Sequence, residues 1–148
     1  MDAPGGQELT LTVPADGRYL AMIRAFVAEA AAAGGFDEQF GREAALGLCE
    51  AVSNVIRHCY RGSCQPITIR CTLAPDWLEL RLRDYGPKPD PARLQGRDLD
   101  DVRPGGLGLH IIRRTMDQVD FDLSPPEGTE LRMVKYRPGC GPRRKEAE

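Results

Sequence analysis

The sequence predicts an α+β domain: a two-layer sandwich with an antiparallel or mixed sheet and helices packed on one face. Three observations lead there. Apolar residues alternate in five short stretches, at 9–13, 67–73, 78–82, 119–123 and 131–136, which is the period of half-buried strands. Several of these strands follow one another across short turns, as antiparallel neighbours do, and the spaced βαβ units of a doubly wound fold are missing. A chain of 148 residues holds one full hydrophobic core and is too short for two ordinary domains.

Each element has its own signal. Leu9, Leu11 and Val13 alternate with Thr10 and Thr12. Asp16 is placed to cap a helix with Leu20, Ile23, Phe26, Val27 and Ala30 on one face, ended by Gly34 and Gly35. Asp37 caps a long helix that runs through Tyr60 and is closed by Arg61-Gly62-Ser63. Ala74-Pro75-Asp76 joins the second and third strands as a hairpin. Residues 84–106 are different in kind, rich in glycine, proline and charge; such a stretch inside a compact domain is a functional lid or is disordered. Residues 107–116 read as a largely buried helix, and a last hairpin turns around Ser124-Pro125-Pro126-Glu127-Gly128. Residues 1–7 are expected to be disordered and 137–148 to form a flexible tail, leaving 8–136 as the domain, with a lid at about 86–106.

Composition excludes several classes. A net charge of −2 offers no bulk field for nucleic acid or anionic membrane, and neither is expected as a partner. No segment approaches the roughly 20 apolar residues that span a bilayer, and residues 1–7 lack the pattern of a signal peptide. The five cysteines are an odd number without a Cys-x-x-Cys pair, which argues against zinc or a disulfide framework. The expected compartment is the cytoplasm.

The most informative stretch is Glu50-Ala-Val-Ser-Asn54-Val-Ile-Arg57-His58. On an α-helix the i, i+4 spacing stacks Glu50, Asn54 and His58 as one polar stripe, apart from the core positions Ala44, Leu48, Val52, Val55 and Cys59. Glu can take a proton and Asn can offer an oxygen to a hard cation. Asp84-Tyr85-Gly86 follows the third strand; an acceptor-only carboxylate beside a glycine suits a base with an exocyclic amine, although Asp-x-Gly also occurs in plain turns. Gly105-Gly106-Leu107-Gly108-Leu109 leads into a helix, where glycines expose N–H groups to phosphate or simply form a hinge. It lacks the Lys-Ser/Thr of a P-loop.

In this order and spacing, the three segments resemble the N, G1 and G2 boxes of the GHKL (Bergerat-fold) ATPase superfamily, most closely its anti-sigma-factor serine/threonine kinase branch. Met116-Asp117-Gln118-Val119-Asp120 and Gly128-Thr129 add to the match, which covers roughly residues 9–136. The resemblance implies a Bergerat-type sandwich with an ATP lid, binding ATP or ADP with Mg²⁺. Asn54 would hold the Mg²⁺ and Glu50 would act as general base toward a substrate hydroxyl. Asp84 would bind the adenine amine, with Gly86 letting the base approach and Thr129 supporting the contact. Gly106 and Gly108, flanking Leu107, would bind phosphate. Arg103, or Arg97, would reach the γ-phosphate from the lid. Arg-His commonly follows the Asn in related sequences, so His58 is a nucleotide-contact candidate, while Arg57 as solvated and His58 as packing remain the plainer reading. Lys88 stands where many members have a second glycine, and Asp90-Pro91 fits a variant of the branch. The implied partners are a STAS-type anti-sigma-factor antagonist as substrate, a sigma factor or analogous regulator, and a second copy in a homodimer. A nucleotide-controlled binding switch without kinase activity uses nearly the same residues and stays open.

Overall fold

A computed structural model describes residues 6–60, 65–86 and 106–141. The chain runs through β1 (Gln7–Pro14), a 3₁₀ turn (Gly17–Tyr19), α1 (Leu20–Ala33), α2 (Glu38–Asn54), a π-helical segment (Val55–Tyr60), β2 (Pro66–Leu73) and β3 (Trp77–Asp84). It continues with α3 (Gly106–Thr115), β4 (Gln118–Asp122) and β5 (Thr129–Tyr136). The strands form one five-stranded sheet in the order β1-β2-β3-β5-β4. Every neighbouring pair is antiparallel, so of the two expected arrangements the antiparallel one holds.

The sheet's inner face is the alternating set. Ile69 lies opposite Leu82 and Cys71 opposite Leu80, while Leu80 and Leu82 also face Met133 and Leu131. These residues are fully or almost fully buried against Ile23, Val27, Leu48, Val52, Ile112 and Met116 of the helices. Burying such side chains stabilises by about 1.5–3 kcal/mol each. Cys71 belongs to this layer, and burial pushes its thiol up to about 12, which makes it an inert apolar residue.

Local chemistry sets the helix ends. Asp16 accepts from the Arg18 N–H and caps the 3₁₀ turn that precedes α1, so its cap is one turn earlier than expected. Asp37 accepts from the Phe40 N–H at 2.8 Å and starts α2. Gly34 and Gly35 end α1, Gly35 at φ 84.

The outer sheet face carries charge in place of apolar residues. Arg81 donates to Glu79 at 2.7 Å and to Glu130 at 2.8 Å, Arg132 donates to Glu79 at 2.7 Å, and Arg70 donates to Glu130 at 3.0 Å. Burial would raise the Glu79 carboxyl, but its hydrogen bonds to Arg81 and Arg132 prevail and hold it below the usual range. Two expectations about the chain ends change. Gln7, expected in the disordered start, pairs with Leu73. Arg137, expected in the tail, is pinned to Pro75 and Gly35 carbonyls.

Candidate functional site

Glu50 and Asn54 lie one turn apart at the end of α2, both half-buried. Among the described residues no hydrogen bond or ion pair engages the Glu50 carboxylate, which leaves it available as a proton acceptor. The Asn54 Oδ1 accepts from Arg57 Nη2 at 2.9 Å. Arg57 is exposed, as expected, but it is not simply solvated: it already sits on the oxygen assigned to the cation.

The third member of the stripe, His58, lies beyond the end of α2. The α-helix stops at Asn54 and Val55–Tyr60 is π-helical. The His58 backbone lies in that segment, and its side chain falls outside the described residues. Nothing in the local sequence marks the change: no proline or glycine interrupts 50–60.

A second group forms where β3 meets β5. Asp84 pairs across the ladder with Thr129 and is 5% exposed. Its Oδ1 accepts from the Gly86 N–H at 3.0 Å, and Gly86 is itself buried. Burial pushes the Asp84 carboxyl above the usual range, although the Gly86 N–H, the Arg83 charge and the Thr129 backbone N–H oppose it. Beside it, the Thr129 hydroxyl is buried and has no hydrogen-bond partner among the described residues. An orphaned hydroxyl is rare in a finished core and normal where a ligand is to be met. Together they supply an acceptor and a second polar atom, which fits the edge of an adenine ring.

Gly128 holds this corner together, and no role was assigned to it from sequence. It adopts φ +71, and a Cβ there would run into the Asp84 carbonyl and against Tyr85 Cα. Only glycine combines that conformation with so close an approach. The turn signal Pro125-Pro126-Glu127-Gly128 was legible; the contact across the sheet was not.

The third group opens α3. The helix begins at Gly106, so Gly106, Leu107 and Gly108 form its first turn, whose backbone N–H groups lack intrahelical partners. The side-chain surroundings of these three fall outside the described residues, as do residues 87–105 with Arg97, Arg103 and most of the expected lid. α3 packs on α2: Gly47 of α2 faces Thr115 and Met116. Lys135 Nζ donates to the Thr115 carbonyl and to Glu43 Oε2, both at 2.8 Å, which lowers the Glu43 carboxyl below its usual range.

α3 packs on the helix that carries Glu50 and Asn54, and the buried Asp84 ends the central strand β3. The family model described as a histidine kinase-like ATPase domain matches residues 13–135. The chain belongs to this family. Among its relatives, "Serine-protein kinase RsbW" of Listeria monocytogenes serotype 4a is 31% identical over 138 residues, spanning 87% of each chain. The protein of the same name from Bacillus cereus strain G9842 is 28% identical over 138 residues, covering 88% of this chain and 85% of the relative. A crystal structure of the RsbU and RsbW domains of a Mycobacterium tuberculosis protein shares the fold, with a TM-score of 0.64 at 19% identity. It covers 89% of this chain, which spans 33% of that longer one. The GHKL resemblance and the Bergerat-type sandwich expected from sequence are thereby established. As a histidine-kinase-like ATPase domain, the chain has no helix among its described residues long and apolar enough to cross a membrane.

Proposed function

We propose that this protein is an ATP-dependent serine/threonine protein kinase of the anti-sigma-factor type. It phosphorylates a small STAS-type antagonist and sequesters a sigma factor or similar regulator, acting as a homodimer in the cytoplasm. The observation that carries this reading is the Glu50 carboxylate, without a hydrogen-bond or ion-pair partner among the described residues and one helical turn from Asn54, in a family whose relatives are named serine-protein kinases. A purely structural glutamate gains from a partner; a general base needs a free oxygen and a metal ligand nearby.

Each residue then has a task. Asp84 accepts from the adenine amine, Gly86 lets the base lie close, and the Thr129 hydroxyl supplies the missing partner on the same edge. Gly106 and Gly108, with Leu107 between them, present N–H groups to the phosphates. Asn54 is the oxygen that would hold Mg²⁺, and Arg57 must leave Oδ1 for it to do so. When bound, Mg-ATP supplies the phosphoryl group and the cation that neutralises its charge. Glu50 takes the proton from the acceptor hydroxyl, while Arg103 of the lid and His58 are assigned to the phosphate end. Phosphoryl transfer needs positioning and charge neutralisation more than covalent help, and this set offers both.

The test is transfer of labelled phosphate from Mg-ATP to the cognate antagonist. Glu50→Gln should lower the rate by about 10²-fold or more while ATP affinity stays within about twofold. Normal transfer by Glu50→Gln overturns the base assignment. Nucleotide-dependent partner exchange by the unaltered protein, with no transfer at all, would replace the kinase with a binding switch.

A further inference from the structure

Helix α2 has two interior glycines, Gly41 and Gly47, and each faces a different neighbour. A Cβ at Gly41 would meet Ala31 Cβ of α1 at 3.3 Å. A Cβ at Gly47 would meet Thr115 Oγ1 at 2.7 Å, with Met116 Cγ at 3.3 Å and Sδ at 3.4 Å. The first contact is tight, and asks Ala31 to give by a few tenths of an ångström. The second is closer than a side chain can approach.

Thr115 is also poorly able to move aside. It is β-branched and stiff at χ1, and its hydroxyl donates to the Ile111 and Ile112 carbonyls at 2.9 and 3.2 Å. Its own carbonyl is held by Lys135 Nζ, which is tied to Glu43 of α2. Met116 behind it is 1% exposed. Gly47 does not have the positive φ that would explain a glycine by backbone geometry, and a glycine inside a helix costs helix stability. What it provides is close approach of α3 to α2.

Those two helices carry the two halves of the candidate site. Glu50 and Asn54 lie three and seven residues beyond Gly47 on α2, and Gly106 and Gly108 form the first turn of α3. We propose that Gly47 is a positioning residue for the nucleotide site: its missing side chain sets the α2–α3 spacing, and with it the gap in which the nucleotide's phosphates must fit. Because α3 is a rigid rod, pushing it off at Thr115 displaces its first turn relative to Asn54 as well. The inference rests on the reading that the nucleotide lies between these helices.

Calorimetric titration of the full chain with Mg-ADP tests it, alongside the melting temperature of each variant. Gly47→Ala should weaken Mg-ADP by about fivefold or more, since misplacements well under 1 Å already disturb a positioned site. Its melting temperature should stay within about 4 °C of the unaltered protein. Gly41→Ala, which presses on α1 instead, should bind within about twofold of the unaltered protein, and so should Thr115→Ala. The double variant Gly47→Ala/Thr115→Ala should recover the affinity of Thr115→Ala, because the contact is gone. In the Thr115→Ala background, Gly47→Val should weaken binding again, a comparison that does not need the single Gly47→Ala protein to fold. Unchanged affinity in Gly47→Ala, an equal loss in Gly41→Ala, or a flat Gly-Ala-Val series overturns the proposal. Failure of the unaltered protein to bind Mg-ADP would instead remove the site reading, and the inference with it.

Discussion

The two ends of the β3–β5 ladder meet opposite demands. At the Trp77–Tyr136 end a set of hydrogen bonds ties the turn and the strand ends together. The Ala74 N–H reaches the Trp77 carbonyl at 2.9 Å, the Arg137 N–H reaches Asp76 at 2.8 Å, and the Arg137 side chain binds the Pro75 carbonyl at 3.0 Å and that of Gly35 at 3.3 Å. Its guanidinium also lies 4.4 Å from the centre of the Phe36 ring, which stacks on Phe40. At the Asp84–Thr129 end, roughly 25 Å away along the strands, a carboxylate is buried and a buried hydroxyl has no partner among the described residues. One end ties its polar groups to one another; the other is the end to which the proposed function assigns the adenine contact. On the proposed function, the difference separates stability from binding along a single pair of strands.

The largest effect should come from Gly128→Ala. A side chain at positive φ costs about 1–2 kcal/mol by itself, and this one must also displace the Asp84 backbone. Chemical denaturation should show about 3 kcal/mol or more of lost stability, with nucleotide binding lost as well. A well-folded Gly128→Ala protein that binds ADP normally would break the link between that glycine and the site.

Asp84→Asn should move affinity and stability in opposite directions. Losing a charged acceptor should weaken ADP by about 10- to 100-fold. The free protein, however, should become more stable near neutral pH. Burial raises the folded-state pKa of Asp84, so its favourable contribution is complete below the ordinary Asp value of about 3.9 and is lost as pH rises through the higher folded value. The melting-temperature advantage of Asp84→Asn should therefore vanish toward about pH 4 and open as pH rises. A constant advantage across that range would mean that burial of the charge is not its source.

At the opposite end, Arg137→Ala should cost about 1–2 kcal/mol of stability through its carbonyl bonds and ring contact. ADP affinity should be unchanged in the same titration. A parallel loss of affinity would show that the two ends are coupled and not divided in their tasks.

The smallest effect belongs to the outer face. Glu79 has a folded pKa held below its usual value, so it stabilises above the unfolded value of about 4.3 and loses that contribution as pH falls through the folded one. Glu79→Gln should cost about 1 kcal/mol at neutral pH, and the deficit should shrink as the solution is acidified below about pH 4. A pH-independent deficit would assign the cost to packing.

Much of this is legible in the amino-acid sequence. The period-2 runs at 67–73 and 78–82, the Asp37 cap, the Gly34-Gly35 stop and the motif order Glu50–Asn54, Asp84–Gly86, Gly106–Gly108 are local patterns. Local patterns reflect forces acting within a few residues: side-chain alternation, capping and backbone freedom. The π-helical segment was not legible, because residues 50–60 follow an unbroken helical pattern and the stripe that includes His58 assumes α-geometry throughout.

The sequence by itself therefore determined the layer architecture, the family and the residue types at the site. Tertiary structure alone decided that Gly128 lies under Asp84, that the Thr129 hydroxyl has no partner among the described residues, that Arg57 sits on Asn54, and that α3 closes on α2 at Gly47. The physical reason is distance along the chain. Except for the Arg57–Asn54 contact, which needs a particular side-chain rotamer, these relations join segments from different elements. Their geometry is set only once the whole core has packed.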